Sequence, residues 1–126
     1  MALSERHRRW GWDCPAVDLD FIFLEYDRGV PTAIIEYKHQ LAKPQYPSHP
    51  TYQAIITLGN LANTPVFAVR YADDFSWWKV IPLNDCAKGI LPDRKQMSEE
   101  EYVTFLYKIR GYDPPIQMFK NWNDVI

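Results

Sequence analysis

The chain has 126 residues, 47% of them hydrophobic and 24% charged, with a formal net charge of -2. That balance excludes intrinsic disorder and a global basic field for polyanions, and the length fits one domain, residues 1–126, with a core of its own. No run nears the roughly 18 apolar residues of a membrane span and the opening "MALSERHRRW" lacks an apolar signal core, so a cytoplasmic protein without a membrane partner is expected.

Residues 3 to 10 have helical spacing of Glu5, Arg6 and Arg9 and stop at Gly11, and "GWDCPAV" reads as a turn or short extended piece. Strand character begins near Val17. The runs FIFLEY (to Tyr26) and TAIIEY (Thr32 to Tyr37) are aromatic and β-branched and predict two strands joined by Asp27-Arg28-Gly29. Gly29 takes the left-handed position of a three-residue hairpin loop. After a Pro-rich loop, "HQLAKPQYPSHP", a helix is expected from Thr51 to Asn63 with a buried stripe of Tyr52, Ile55, Ile56, Gly59 and Leu61-Ala62. "PVFAVRYA" and "WWKVIPL" read as strands linked by "DDFS". Ser98 and Glu101 form a capping box that opens a last helix ending at Gly111, and the Pro-rich tail beyond, with Ile116 and Phe119, reads as irregular. The order predicts an α/β fold with a mixed central sheet flanked by helices.

If Tyr26 and Val30 close the hairpin, residues whose numbers sum to 56 stand opposite one another, which pairs Asp20 with Glu36 and Asp18 with Lys38 on one face. Ile34 shares that face, so an inward Ile34 carries Glu36 and Lys38 toward the covered side of the sheet. Carboxylates about 5 Å apart repel by a few kcal/mol at an effective dielectric of ~20. A proton, the Lys38 ammonium or a divalent cation can offset that, and the surplus of acids over Lys38 fits a hard divalent ion best.

Asp20 ahead of "FIFLEY" and Glu36-Tyr37-Lys38 at the end of the next strand resemble the PD-(D/E)xK nuclease superfamily, over roughly residues 3 to 71. The resemblance implies a restriction-endonuclease-like core in α-β-β-β-α-β order. It implies Mg²⁺ (or Mn²⁺) held by Asp20, Glu36 and the Tyr37 carbonyl, with Lys38 positioning water or stabilising charge. Gln53 resembles the polar helix residue, and Glu5 the first-helix acid, of the RecB-like and Holliday-junction-resolvase-like branches. Leu19, where the pattern has Pro, leaves Asp18 as a rival or second first ligand.

The expected function is therefore metal-dependent hydrolysis of phosphodiester bonds in nucleic acid, DNA foremost. Arg6, Arg8, Arg9 and Lys43 are the expected phosphate contacts, and a homodimer or structure-selective binding serves so small a chain. Against this stand a catalytically inactive nuclease-fold regulator that binds nucleic acid or protein, and a structural protein with an incidental acidic hairpin. For individual residues the plainer alternatives are solvated strand ends for Glu36 and Lys38, a surface amide for Gln53 and exposed loop histidines for His39 and His49. Trp77 and Trp78 are candidates for base stacking or for core. Cys14 and Cys86 lack zinc spacing and are expected as reduced thiols.

Overall fold

The FIFLE run and the β-branched run after the Gly29 turn form strands β1 (Phe21–Glu25) and β2 (Val30–His39), in a computed structural model that describes residues 5, 6, 9, 19–25 and 28–111. Helix α1 (Pro50–Leu61) follows, then β3 (Val66–Tyr71), β4 (Trp78–Pro82), helix α2 (Asp85–Ile90), β5 (Lys95–Met97) and helix α3 (Glu99–Arg110). The five strands make one mixed sheet in the order β1-β2-β3-β4-β5, in which β2 and β3 run parallel and the other neighbours antiparallel. A parallel pair needs a crossover, and α1 supplies it.

Helices cover both faces of this sheet. On one face Ile34 of β2 and Val66 of β3 pack against Ile55 of α1 and Leu83. On the other, Ala33, Ile35, Phe67, Val69 and Val80 pack against Ala87 of α2, Met97 of β5 and Tyr102 of α3, with Phe105 and Ile109 alongside. Burial of Ile35, Phe67, Val69 and Val80 contributes roughly 1.5–3 kcal/mol each. The four β2 residues from Ala33 to Glu36 are all buried, as befits a central strand with both faces covered.

Local chemistry ends each helix. The His49 ring accepts the Thr51 N–H (3.2 Å) at the start of α1, with Pro50 in its first turn. Gly59 lies so near β3 that a Cβ there would sit 2.2 Å from Val66 Cγ2. Asn84, 4% exposed, accepts the N–H groups of Val66 (3.1 Å) and Ala87 (2.9 Å) and donates to the Thr64 carbonyl (2.9 Å) and to Asn60 (3.1 Å). It thereby ties the end of α1, the start of β3 and the start of α2 together. Ser98 and Glu101 form the expected capping box of α3, which ends at Gly111 with φ 89°.

Several expectations need correction. The hairpin is closed by Glu25 and Val30 rather than by Tyr26 and Val30, so the connection is residues 26–29, with Gly29 at φ 63°. Pairs next to the turn therefore sum to 55. Thr32 is the extra residue of a bulge between Phe23↔Ala33 and Leu24↔Pro31, and beyond it the pairs sum to 56. Strand β2 is longer than the sequence implies, at 10 residues. Helix α1 stops at Leu61, which is 84% exposed rather than part of the buried stripe, and Ile56 is half-buried. Helix α2 and strand β5 were not anticipated, being only 6 and 3 residues long. The third strand of the implied meander has no counterpart among the described residues. Glu5, Arg6 and Arg9 are helical and exposed. Arg8, Cys14, Asp18, Tyr26, Ile116 and Phe119 lie outside the described residues. Among the described residues no helix is long and apolar enough to cross a membrane.

Candidate active site

The β1–β2 ladder ends at the pair Phe21↔Ile35, and at that point a side chain takes over from the backbone. The Asp20 carboxylate accepts the Tyr37 N–H at 2.9 Å, which holds this acid against the peptide that joins Glu36 to Tyr37. Glu36 follows Ile34 on the face covered by α1 and is only 5% exposed. Its Cα partner on β3 is the small, buried Ala68.

Glu36 has less compensation than a buried carboxylate usually receives. The Lys38 ammonium lies 3.8 Å from its Oε1, an ion pair too long for a hydrogen bond. Its Oε2 is buried and has no hydrogen-bond partner. Burial raises the Glu36 carboxyl above the ordinary range, the negative charge of Asp20 raises it further, and Lys38 and then the Asp20 backbone N–H pull it partly back. The buried Tyr52 phenol of α1 responds to the same charges: burial raises it first, Glu36 adds to the rise and Arg70 opposes it. Asp20, Glu36, Lys38, Tyr52 and Arg70 thus form one electrostatic unit on the α1 face.

The structure brings Asp20, Glu36 and Lys38 together, as the register argument requires. Tyr37 lies between the last two, but its ring faces the opposite side, where its hydroxyl is 2.6 Å from that of Tyr102 and its ring meets Phe21 and Trp78 edge-on. Among the described residues no three His, Cys, Asp or Glu side chains converge; the Asp20–Glu36 pair is the acidic set, and Asp18 lies outside the described residues. Gln53 is exposed in the first turn of α1 and its amide donates to the Pro47 carbonyl at 2.9 Å. Lys43 is exposed in the segment after β2. His39 pairs with Asp73 at 2.8 Å and His49 caps α1, so both histidines have structural partners.

Trp78 stacks on Tyr102 with ring centroids 4.9 Å apart and belongs to the aromatic packing beneath the sheet. Trp77 is half-buried, and Cys86 is an exposed free thiol.

Sequence reasoning missed Tyr52 as a site residue, and with it Arg70, Lys79 and Arg94, which line one cavity with Lys38 and Tyr52. Arg70 and Lys79 reach the site only through the β2–β3–β4 register, in which Lys38 pairs with Arg70 and Arg70 with Lys79. A signal was available in the strand parity of VFAVRY and WKVIP, but it points to this site only once β3 is known to run parallel to β2. Comparison of the chain with protein-family models, with curated proteins and with solved structures finds no match.

Proposed function

We propose that this chain is a metal-dependent nuclease of PD-(D/E)xK type that hydrolyses phosphodiester bonds of nucleic acid, DNA foremost. The observation that carries the reading is the buried, partnerless Oε2 of Glu36 beside the Asp20 carboxylate, with Lys38 too far to satisfy it. Two acids, one just ahead of β1 and one on β2 with a buried lone-pair oxygen, are the donor chemistry of a hard divalent cation such as Mg²⁺ or Mn²⁺. Asp20, Glu36 and the Tyr37 carbonyl would hold it. Further support comes from the order of elements: the acid-bearing hairpin is followed by helix α1 and by β3 parallel to β2, as a restriction-endonuclease-like core of the RecB-like or resolvase-like kind requires.

When bound, the cation supplies Lewis acidity toward a phosphodiester oxygen and toward water. The chain's own residues do the rest. Asp20, anchored on the Tyr37 N–H, is oriented by backbone rather than by a mobile side-chain partner. Glu36 is shielded by α1, which strengthens its field. Lys38 stands one strand repeat beyond Glu36 on the same face and donates to the phosphate oxygens as negative charge builds on them.

The test is cleavage of labelled single- and double-stranded DNA with Mg²⁺, with Mn²⁺ and with EDTA, by the wild type and by Glu36→Ala and Lys38→Ala. We expect metal-dependent cleavage that falls about 100-fold or more in both variants. A second reading, a nuclease-fold protein that binds without cutting, draws on one observation: the Gln53 amide is engaged with Pro47 instead of being offered to the site. Binding with no cleavage under any metal would select it.

A further inference from the structure

One rung beyond Glu36 the same sheet face carries three cations in a row. Lys38 of β2, Arg70 of β3 and Lys79 of β4 are successive Cα partners across the sheet. Like charges placed directly opposite on one face destabilise a sheet. Acids could quench such a row, yet among the described residues Lys38 has only the 3.8 Å contact with Glu36, and Arg70, Lys79 and Arg94 form no salt bridge. These four cations line one cavity of about 210 Å³ together with Tyr52 and Pro47, and among the described residues no carboxylate lines it.

Arg70 also builds the cavity wall. Its Nη1 donates to the carbonyls of His39 (3.0 Å), Gln40 (3.3 Å) and Ala42 (2.8 Å), pinning the chain that leads into the Pro-rich segment 43–50. The Arg70 charge is therefore held in place before any ligand arrives, and preorganisation of this kind lowers the cost of binding. A row of cations with a single ion pair among the described residues, around a small concave site, is the chemistry of an oxyanion receptor.

We infer that this cavity binds the terminal phosphate of a nucleic-acid strand, so that the chain acts at phosphorylated ends. The inference rests on the nuclease reading for its placement of the scissile bond. Adjacent rungs on one face of a strand are about 6.6–6.8 Å apart. A single nucleotide spans that distance, so a terminal phosphate held by Arg70, Lys79 and Arg94 sets the next phosphodiester over Asp20 and Glu36 and leaves Lys38 to that second phosphate. The cavity is too small for a duplex and suits a frayed or single-stranded end.

Binding in EDTA tests this independently of cleavage. Short single-stranded oligonucleotides bearing a 5′-phosphate, a 3′-phosphate or hydroxyls at both ends are titrated by fluorescence anisotropy against the wild type, Lys79→Gln and Arg94→Gln, with melting curves for each protein. Arg94 is exposed, so its variant should fold whatever Lys79→Gln does. One phosphorylated end should bind about ten-fold tighter than hydroxyl ends, the size of one added charge-assisted hydrogen bond, and the end that wins assigns the polarity. Inorganic phosphate should compete, and the preference should fall in both variants. Equal affinities for all three oligonucleotides, or a preference that survives in both variants, would overturn the inference. A preference without cleavage under any metal supports the phosphate site and removes the nuclease reading. Cleavage of closed circular DNA as fast as of end-bearing DNA keeps the nuclease and removes the end-directed site.

Discussion

Replacing Glu36 by Gln should make the protein more stable and, at the same time, inert. The side chain is 5% exposed, its Oε2 has no partner and the Asp20 carboxylate is its neighbour. An unsatisfied buried polar group costs about 1–3 kcal/mol, and like charges at the cross-strand spacing of about 5 Å repel by up to about 3 kcal/mol at an effective dielectric of about 20, less where exposed Asp20 is screened by water. An amide removes the charge and can donate to Asp20, so a gain of about 1–3 kcal/mol is expected at pH 7. For a chain of this size that is on the order of 3–10 °C in melting temperature. The pH dependence gives the sign. Because the folded Glu36 pKa is raised above 4.5, the folded state holds a proton that the unfolded state has released. Wild-type stability from this group is present below about pH 4.5 and is lost as pH rises through the folded value. The advantage of Gln should thus vanish below about pH 4.5 and be complete well above the folded pKa. Mg²⁺ should raise the melting temperature of the wild type, by about 2.7 kcal/mol in stability at a hundred times Kd, and leave Glu36→Gln unmoved. Thermal melts across pH, with and without Mg²⁺, decide the matter. A variant no more stable than wild type at pH 7 would show that the Glu36 carboxylate is already satisfied, and the cation argument would go with it.

Three further outcomes follow from the packing. Gly59→Ala gains about 1 kcal/mol of helix propensity but sets a Cβ 2.2 Å from Val66 Cγ2 and 3.0 Å from the Thr64 carbonyl, so urea denaturation should show a net loss of about 1–2 kcal/mol. Asn84→Ala removes bonds to two backbone N–H groups, the Thr64 carbonyl and Asn60 from a buried site; a loss of about 2–4 kcal/mol is expected, together with faster hydrogen exchange at the Val66 and Ala87 amides. Burial raises the phenols of Tyr37 and Tyr102 above the ordinary value of 10.0. The unfolded state ionises first, so stability should fall from about pH 10 upward, and phenolate absorbance should appear for these two rings only as the protein unfolds.

The acidic half of the site was legible because burial dictated it locally. Ile34 must face the core, and a period of two then sends Glu36 and Lys38 under α1 whatever the turn does. The turn itself was misread. Its true closing pair, Glu25↔Val30, shifts the register by one residue, and the Thr32 bulge shifts it back before Asp20 and Glu36 are reached. Two irregularities of opposite sense left the site-end pairing unchanged, which indicates that the buried stripe, not the loop, selects the register. The buried, unbonded Thr32 hydroxyl is the residual cost of that selection.

The cationic half was illegible for the converse reason. It exists only where the parallel pairing of β2 with β3 begins at the Ile34 N–H to Pro65 carbonyl bond, 2.9 Å long, which the crossover through α1 and the Asn84 clasp establish. Shift β3 by one residue and Arg70 would turn to the opposite, aromatic face, leaving Lys38 with no cation beside it and Glu36 opposite a larger side chain than Ala68. The arginines near the start of the chain lie close together in sequence, whereas Lys38, Arg70, Lys79 and Arg94 come from four separate segments and meet only in space. Acids on one rung and bases on the next give the α1 face a potential that changes sign within one strand repeat. Such a pattern suits a ligand that is itself alternately cationic and anionic along its length, as a metal-bound phosphate followed by a bare one would be.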